Sequence, residues 1–104
     1  MQYFDVILPG EKNVLTFNLA PALLNGNILT GTPTVTVTTY SGIDPDPTAI
    51  LNGSPQLDST NTQVLVPVAP TVNGVQYLID VFVDTQLPTV LPGIQGILPV
   101  RFGS

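Results

Sequence analysis

Four aspartates have the residue type and spacing that acid–base chemistry would require: Asp44, Asp46, Asp80 and Asp84. The chain has no histidine and no cysteine, which excludes a Ser/His/Asp triad, a Cys/His pair and thiolate metal ligands. Two carboxylates could still share the work if they lay close together. Asp80 and Asp84 fall on one face of a predicted strand, roughly 13 Å apart by strand rise. That distance is too long to share a proton, so we predict a protein that is not an enzyme and has no catalytic residues.

The Asp44-Pro45-Asp46 segment places two carboxylates close together in a predicted loop. Calcium accepts carboxylate and carbonyl oxygens from loops, so a cation site is one interpretation. The segment lacks the further spaced ligands of an EF-hand. An aspartate before a proline also starts tight turns, in which its carboxylate accepts hydrogen bonds from nearby backbone amides. We favour this structural role and predict neither a metal ion nor a cofactor.

Charged side chains are scarce and mostly acidic. Two basic residues, Lys12 and Arg101, stand against seven acidic ones, which gives a net charge of −5. Nucleic-acid binding needs many cations to displace condensed counterions, so we predict no nucleic-acid partner. No apolar run approaches the ~18 residues of a membrane-spanning helix, and we predict no membrane association. The first residues carry no basic group, and we therefore predict no signal peptide.

Length and hydrophobicity predict one folded domain. The chain has 104 residues and 43% of them are hydrophobic, a composition too apolar for disorder. A chain of this length can bury a single core. We assign residues 1–102 to one domain and interpret Gly103-Ser104 as a cloning remnant.

Alternation of polar and apolar residues predicts β-strands along most of the chain. Lysine and glutamate are nearly absent, whereas threonine, asparagine and valine are abundant, and this composition favours strands and turns over helices. In the longest predicted strand, residues 75–84, one face is apolar and the other mixes polar with apolar side chains. The predicted strands are residues 2–8, 14–19, 34–38, 49–51, 64–68, 75–84 and 94–102.

Turn signals separate these strands at intervals of about ten residues. Asn-Gly and Pro-Gly pairs favour chain reversal because asparagine and glycine tolerate positive φ. Residues 20–26 predict one helical turn, with a proline at its start. Pro67 and Pro99 cannot donate to a β-ladder, so each predicts either an edge strand or irregular pairing. The pattern as a whole predicts an all-β fold, an immunoglobulin-like β-sandwich of about seven strands.

Residues 77–82 of the longest strand carry the clearest structural and interface signals. Tyr77 follows an Asn-Gly pair, where a sandwich tyrosine can hydrogen-bond back across the corner; plain aromatic packing is the alternative. Leu78 and Phe82 lie on the opposite face, where they would contact another subunit or sit under a loop. We also hypothesise that the terminal strands pair with neighbouring subunits, because sheet edges need partners. The candidate interface residues are Tyr3, Phe4, Leu78, Phe82, Ile97 and Phe102.

The middle of the chain has a recognisable order of elements. An alternating strand at residues 15–19 precedes a Leu-rich turn with Asn-Gly and a Thr/Val strand at residues 33–38. A valine-rich strand at residues 64–68 then precedes a Gly-x-x-Tyr strand that begins at Gly74 and ends near Thr85. Across about Val14 to Thr85, this order resembles the small immunoglobulin-like proteins encoded among the morphogenesis genes of tailed bacteriophages. The commoner version of that family has a tryptophan in its third strand, whereas this chain has none.

The resemblance implies a non-enzymatic virion structural protein, such as a capsid decoration (cement) protein, a head–tail accessory protein or a fibre-associated domain. Its partners would be other virion proteins, either the major capsid protein or neck and tail proteins, and further copies of the chain are another candidate. The protein would be located in the virion, after assembly in the host cytoplasm. The alternative is a carbohydrate- or cell-surface-binding module of a fibre or adhesin. That module would need an aromatic-lined groove, to which Tyr3, Tyr40 and Phe82 could contribute.

Overall fold

The computed structural model describes residues 2–23, 28–85 and 94–101. Within these ranges the chain forms seven strands and two short 3-10 turns, at Ala20–Ala22 and Pro47–Ile50. No helix in the described ranges is long and apolar enough to cross a membrane. The strands are β1 (Gln2–Tyr3), β2 (Asn13–Asn18), β3 (Leu29–Ser41), β4 (Gln56–Leu57), β5 (Gln63–Val68), β6 (Val75–Thr85) and β7 (Ile94–Val100).

The strands form two sheets that pack face to face as a β-sandwich. The larger sheet has the order β1–β7–β6–β3, and the smaller has the order β2–β5–β4. All neighbours are antiparallel except β1 and β7, which are parallel. The chain passes from one sheet to the other between β1 and β2, β2 and β3, β3 and β4, and β5 and β6, and such crossings join the sheets of immunoglobulin-like sandwiches. The predicted fold class is therefore confirmed.

Period-two alternation places the core between the sheets, as the sequence predicts. Every second residue of β2, β5 and β6 is buried, and the intervening side chains face outward. Fully burying one large apolar side chain stabilises the fold by about 1.5–3 kcal/mol relative to leaving it exposed. The core cluster contains Ile7, Leu15, Phe17, Leu19, Leu29, Val37, Ile50, Val64, Val66, Val68, Val75, Tyr77, Ile79, Val81, Val83, Leu98 and Val100.

Pro67 and Pro99 lie in strands that have a neighbour on each side, and each sits where the pairing becomes irregular. The Pro99 carbonyl accepts the Ile7 amide at 3.1 Å, so the side of Pro99 that lacks an N–H faces the N-terminal segment, beyond the end of β1. The Pro67 carbonyl accepts the Asn52 amide at 2.9 Å, beyond the end of β4. Of the two predicted alternatives, irregular pairing is the one that the structure has.

The hypothesis that both terminal strands pair with neighbouring subunits is wrong for β7, because β1 and β6 occupy its two edges. The N-terminal strand is also shorter than predicted. β1 has two residues, and the chain returns to the sheet at Ile7, which bridges to Val100. Ile7 is buried in the core. Residues 2–8 are therefore part of the sandwich itself.

Two local predictions also need correction. Residues 49–51 form no strand: the segment is the end of the 3-10 turn at Pro47–Ile50, and Leu51 makes a single bridge to Val68. Pro47 explains this difference, since its fixed φ suits the first position of a helical turn. The predicted helical turn begins as a 3-10 turn at Ala20–Ala22, and its remainder at residues 24–26 lies outside the described residues.

Candidate functional site

Asp44 ties the turn after β3 to the long strand β6. Its Oδ1 accepts the Asp46 amide at 2.9 Å, and its Oδ2 accepts the Tyr77 hydroxyl at 2.5 Å. Gly42 lets the turn after β3 approach the turn before β6: its φ is +87°, and a Cβ there would lie 2.7 Å from the Gly74 carbonyl oxygen. Asp44 thus has the structural role that its position before a proline predicts. Tyr77 bonds across the corner as proposed from its position, and its acceptor is a carboxylate.

We expect Tyr77 to make the fold sensitive to alkali. Burial, and next the Asp44 carboxylate, disfavour the phenolate and raise the pKa of Tyr77 well above its usual value of about 10. The folded chain then keeps this proton at a pH where the unfolded chain has released it. The free energy of unfolding should therefore be unaffected below about pH 10 and fall by about 1.4 kcal/mol per pH unit above it.

Urea unfolding between about pH 8 and about pH 11 measures this slope. Tyr77→Phe should abolish the contribution, because phenylalanine has no proton to release. Tyr40→Phe is the matched control, since Tyr40 is exposed on β3. An identical alkaline slope in the wild type and in Tyr77→Phe would show that Tyr77 is not the responsible group.

The other acidic residues do not gather into a centre in the part of the chain that the structure describes. No three His, Cys, Asp or Glu side chains come together there in a way that could hold a metal ion. Asp80 and Asp84 of β6 have Thr36 and Thr30 of β3 as cross-strand neighbours. A cleft of about 140 Å³ beside Asp44 and Asp46 is otherwise lined by alanine, isoleucine, threonine and valine side chains. Asp44 and Asp46 therefore share a cleft, whereas Asp80 and Asp84 lie on the outward side of β6.

An apolar row crosses the outer face of the four-stranded sheet. The strand register pairs Tyr3 with Ile97, and Ile97 with Leu78, so the three side chains occupy adjacent positions on β1, β7 and β6. They lie on the side away from the core, because the next residue along each strand packs inward. Ile97 is only 3% exposed, whereas Tyr3 is 71% exposed. We call these three residues together with Phe82 the outer patch.

Phe82 extends the outer patch along β6. Its side chain is 51% exposed and lies four residues beyond Leu78 on the same strand face, with Asp80 between them. Phe4 has a different environment from the patch: its ring lies 5.0 Å from the Phe17 ring at 72°, an edge-to-face contact against the core. Phe102 lies outside the described residues. An interface role for the outer patch stays a prediction.

A second cleft, of about 300 Å³, opens between the N-terminal segment and β2. Gln2 reaches across to this strand, and its Nε2 donates to the Thr16 carbonyl oxygen at 2.9 Å. No sequence signal marks this contact, because it depends on how two distant segments pack. Tyr3, Tyr40 and Phe82 line neither this cleft nor the one beside Asp44. The alternative function, a sugar-binding groove built on these three aromatics, therefore has no support from the described clefts.

Asp58 orders a polar loop that the strand pattern does not address. Its Oδ2 accepts the Thr60 hydroxyl at 2.6 Å, and its Oδ1 accepts the amides of Thr62 at 3.0 Å and Gln63 at 3.1 Å. These bonds lower the pKa of Asp58, and the Thr60 hydroxyl contributes most. An aspartate followed by serine, threonine and asparagine is typical of such a side-chain-bonded turn. The loop is organised by its own side chains.

Comparison with known proteins adds no relative to this description. No protein-family model matches the chain, and no curated protein matches it.

Proposed function

We propose that the protein is a non-enzymatic structural component of a tailed-bacteriophage virion, which binds neighbouring virion subunits through the outer patch. The observation that carries the proposal is the apolar row of Tyr3, Ile97 and Leu78, with Phe82 nearby, on a sheet face that points away from the core. Antiparallel sheets with one solvated face normally carry polar side chains there. Tyr3 and Phe82 are large apolar side chains exposed on this face, and exposed large apolar groups are typical of a protein–protein contact.

The chemistry of the outer patch indicates what a partner must offer. Tyr3 and Phe82 supply large, accessible aromatic surfaces, the type of residue that contributes most energy at interfaces. Ile97 lies between Tyr3 and Leu78 in the strand register and is itself almost inaccessible to a partner. Asp80 lies on the same face between Leu78 and Phe82, and burying its carboxylate requires a donor. The partner surface should therefore be apolar, with one basic or hydroxyl group facing Asp80.

The virion assignment is supported by the resemblance to immunoglobulin-like phage proteins. The strand segments on which that resemblance rests lie in β2, β3, β5 and β6 of a sandwich of the implied class, while most of its Leu-rich turn lies outside the described residues. A capsid decoration or head–tail accessory role suits a rigid 11.0 kDa module that is repeated on a symmetric shell, where weak contacts add up through multivalency. The net charge of −5 would keep free copies apart from one another and from nucleic acid before docking.

Phe82→Glu should prevent the protein from joining particles. The substitution puts a second carboxylate beside Asp80, and burying that charge against an apolar partner is costly. We expect at least about a tenfold loss of copies per particle, since every 1.4 kcal/mol of binding free energy is a factor of ten. Peptide mass spectrometry on density-purified particles assembled with the variant measures the loss.

Val14→Glu is the matched control, because Val14 is 53% exposed on β2 of the other sheet. Both variants should keep the wild-type circular dichroism spectrum. Equal incorporation of the two variants would show that the outer patch does not hold the protein on the particle.

A further inference from the structure

Strand β3 ends the four-stranded sheet, and the free side of its backbone can be deduced from the register. The Ile97 and Pro99 carbonyls of β7 accept bonds from the N-terminal segment, so the alternate residues of β7 bond to β6. Gly96 and Leu98 of β7 pair with Ile79 and Tyr77 of β6, so the backbone amides and carbonyls of Ile79 and Tyr77 point toward β7. The backbone amides and carbonyls of the even-numbered residues of β6 in this stretch point toward β3.

The same alternation assigns the two sides of β3. Residues 34, 36 and 38 are the register partners of those even-numbered β6 residues and bond to them. The amides and carbonyls of Val35, Val37 and Thr39 consequently point off the sheet. No hydrogen bond outside the strand ladders joins these three backbones to another residue of the described ranges. β3 thus presents a row of unpaired donors and acceptors.

Between its two register irregularities, this edge lacks the side-chain devices that stop another strand from pairing. Native edge strands carry charges, prolines or bulges at exposed positions. β3 has no charged residue among its 13, and its irregularities fall between Thr30 and Thr34 and between Thr39 and Ser41. Its one proline, Pro33, lies within the first irregularity. Between the two irregularities the strand alternates threonine and valine, residues that favour strands.

We propose that two copies of this chain pair through β3 as antiparallel edge strands, which joins their four-stranded sheets into one continuous sheet. The strand is self-complementary: with the two-fold axis at Val37, this residue faces its own copy, and Val35 faces Thr39. Each outward amide and carbonyl then finds a partner, which gives about six hydrogen bonds between the copies. Residue 36 of one copy lies directly opposite residue 38 of the other.

The lack of charge on β3 favours this edge as the place where a second copy of the chain pairs. Two chains with a net charge of −5 repel each other wherever their acidic residues meet. The paired strands would contribute no charge, and Asp80, on the adjacent strand β6, would lie at least three strand spacings, or about 14 Å, from its counterpart. That distance exceeds the ~8 Å Debye length at physiological salt. No other strand of the larger sheet has a long free edge within the described ranges.

The expected dimer is weak. A segment of six paired residues buries less than the ~1,200 Å² typical of stable complexes, so the dissociation constant should lie between micromolar and millimolar. The pairing uses a surface other than the outer patch and does not rest on the proposed function.

Sedimentation velocity on the full chain tests the pairing. Between about 10 µM and about 1 mM, the weight-average mass should rise from 11.0 kDa toward twice that value. Two double variants then test the register: Thr36→Lys/Thr38→Glu places opposite charges across the interface, and Thr36→Lys/Thr38→Lys places like charges there. Both sites are exposed, and the two variants share the same change beside Asp80.

The two dissociation constants should differ by about tenfold or more, with the opposite-charge variant the tighter dimer. The two-fold axis places residue 36 opposite residue 38 twice, so each dimer has two cross-strand charge pairs, which attract in one variant and repel in the other. The difference should shrink in about 1 M salt. Thr16→Lys, at an exposed site on β2 of the other sheet, should leave the wild-type dimer unchanged. A wild-type chain that is monomeric at about 1 mM would overturn the proposal, and so would equal dissociation constants for the two double variants.

Discussion

Phe17→Ala should lower the free energy of unfolding by about 3–5 kcal/mol. Phe17 of β2 is fully buried, faces Val64 across the smaller sheet, and packs its ring edge-to-face with Phe4. Truncation removes the ring's burial and leaves a cavity that strands from two sheets cannot easily close. A domain of this length typically has about 5–15 kcal/mol of stability, so the loss would be a large fraction of the total.

Equilibrium urea unfolding, followed by far-UV circular dichroism, measures this loss. Phe82→Ala is the matched control, because it removes the same atoms from a side chain that is half exposed on the outer face. The control should lose less than about 1 kcal/mol. Comparable losses in the two variants would mean that the inward face of β2 has been assigned incorrectly.

Gly96→Ala should be the second largest change, lowering the free energy of unfolding by about 3 kcal/mol, the upper end of the range for overpacking. Gly96 lies in β7, between β1 and β6, and two aromatic rings occupy the space beside its backbone. An added Cβ would lie 2.6 Å from Phe4 Cε2 and 2.8 Å from Phe17 Cε2. One methyl group would therefore force both rings out of the positions they take in a close-packed interior.

A double-mutant cycle shows whether the rings cause the loss. In a Phe17→Leu background the shorter side chain removes the Phe17 contact, so Gly96→Ala should cost at least about 1 kcal/mol less than in the wild type. Strict additivity of the two changes would contradict this account of Gly96.

The fold class could be predicted because the sequence contains its local causes. The alternation of polar and apolar residues in β2, β5 and β6 predicts which side chains face the core, and glycine, asparagine and proline mark the chain reversals. Phe17 and Tyr77 are therefore identifiable as core residues from their places in the alternating pattern. The position of β7 between two other strands could not be predicted, because strand order depends on pairing between segments far apart in the chain.

The site residues divide in the same way. Phe82 is predicted to face away from Tyr77 by simple alternation, and it does. Ile97 is as buried as many core residues although it lies outside the core cluster, and its register neighbours Tyr3 and Leu78 come from two other strands. No local pattern encodes that arrangement. The contact of Gln2 with Thr16 is likewise the product of tertiary packing.

The open edge of β3 follows from the strand order and not from the strand's own residues. Its Thr/Val alternation predicts a strand equally well at an edge or at the centre of a sheet. Together with the topology, the absence of charge in that strand becomes informative, since a central strand needs no protection from pairing and an edge strand does. The scarcity of lysine and glutamate, which first indicates an all-β fold, therefore also supports the proposed pairing of copies through β3.

Counting this protein in purified particles tests the central claim most directly. Quantitative peptide mass spectrometry, scaled to the major capsid protein of density-purified virions from the source, gives copies per particle. The proposed structural role predicts a fixed, reproducible number: one comparable to the capsid protein for a decoration protein, or a small number for a neck, tail or fibre component. Complete absence of its peptides from particles that retain all other structural proteins would contradict that role.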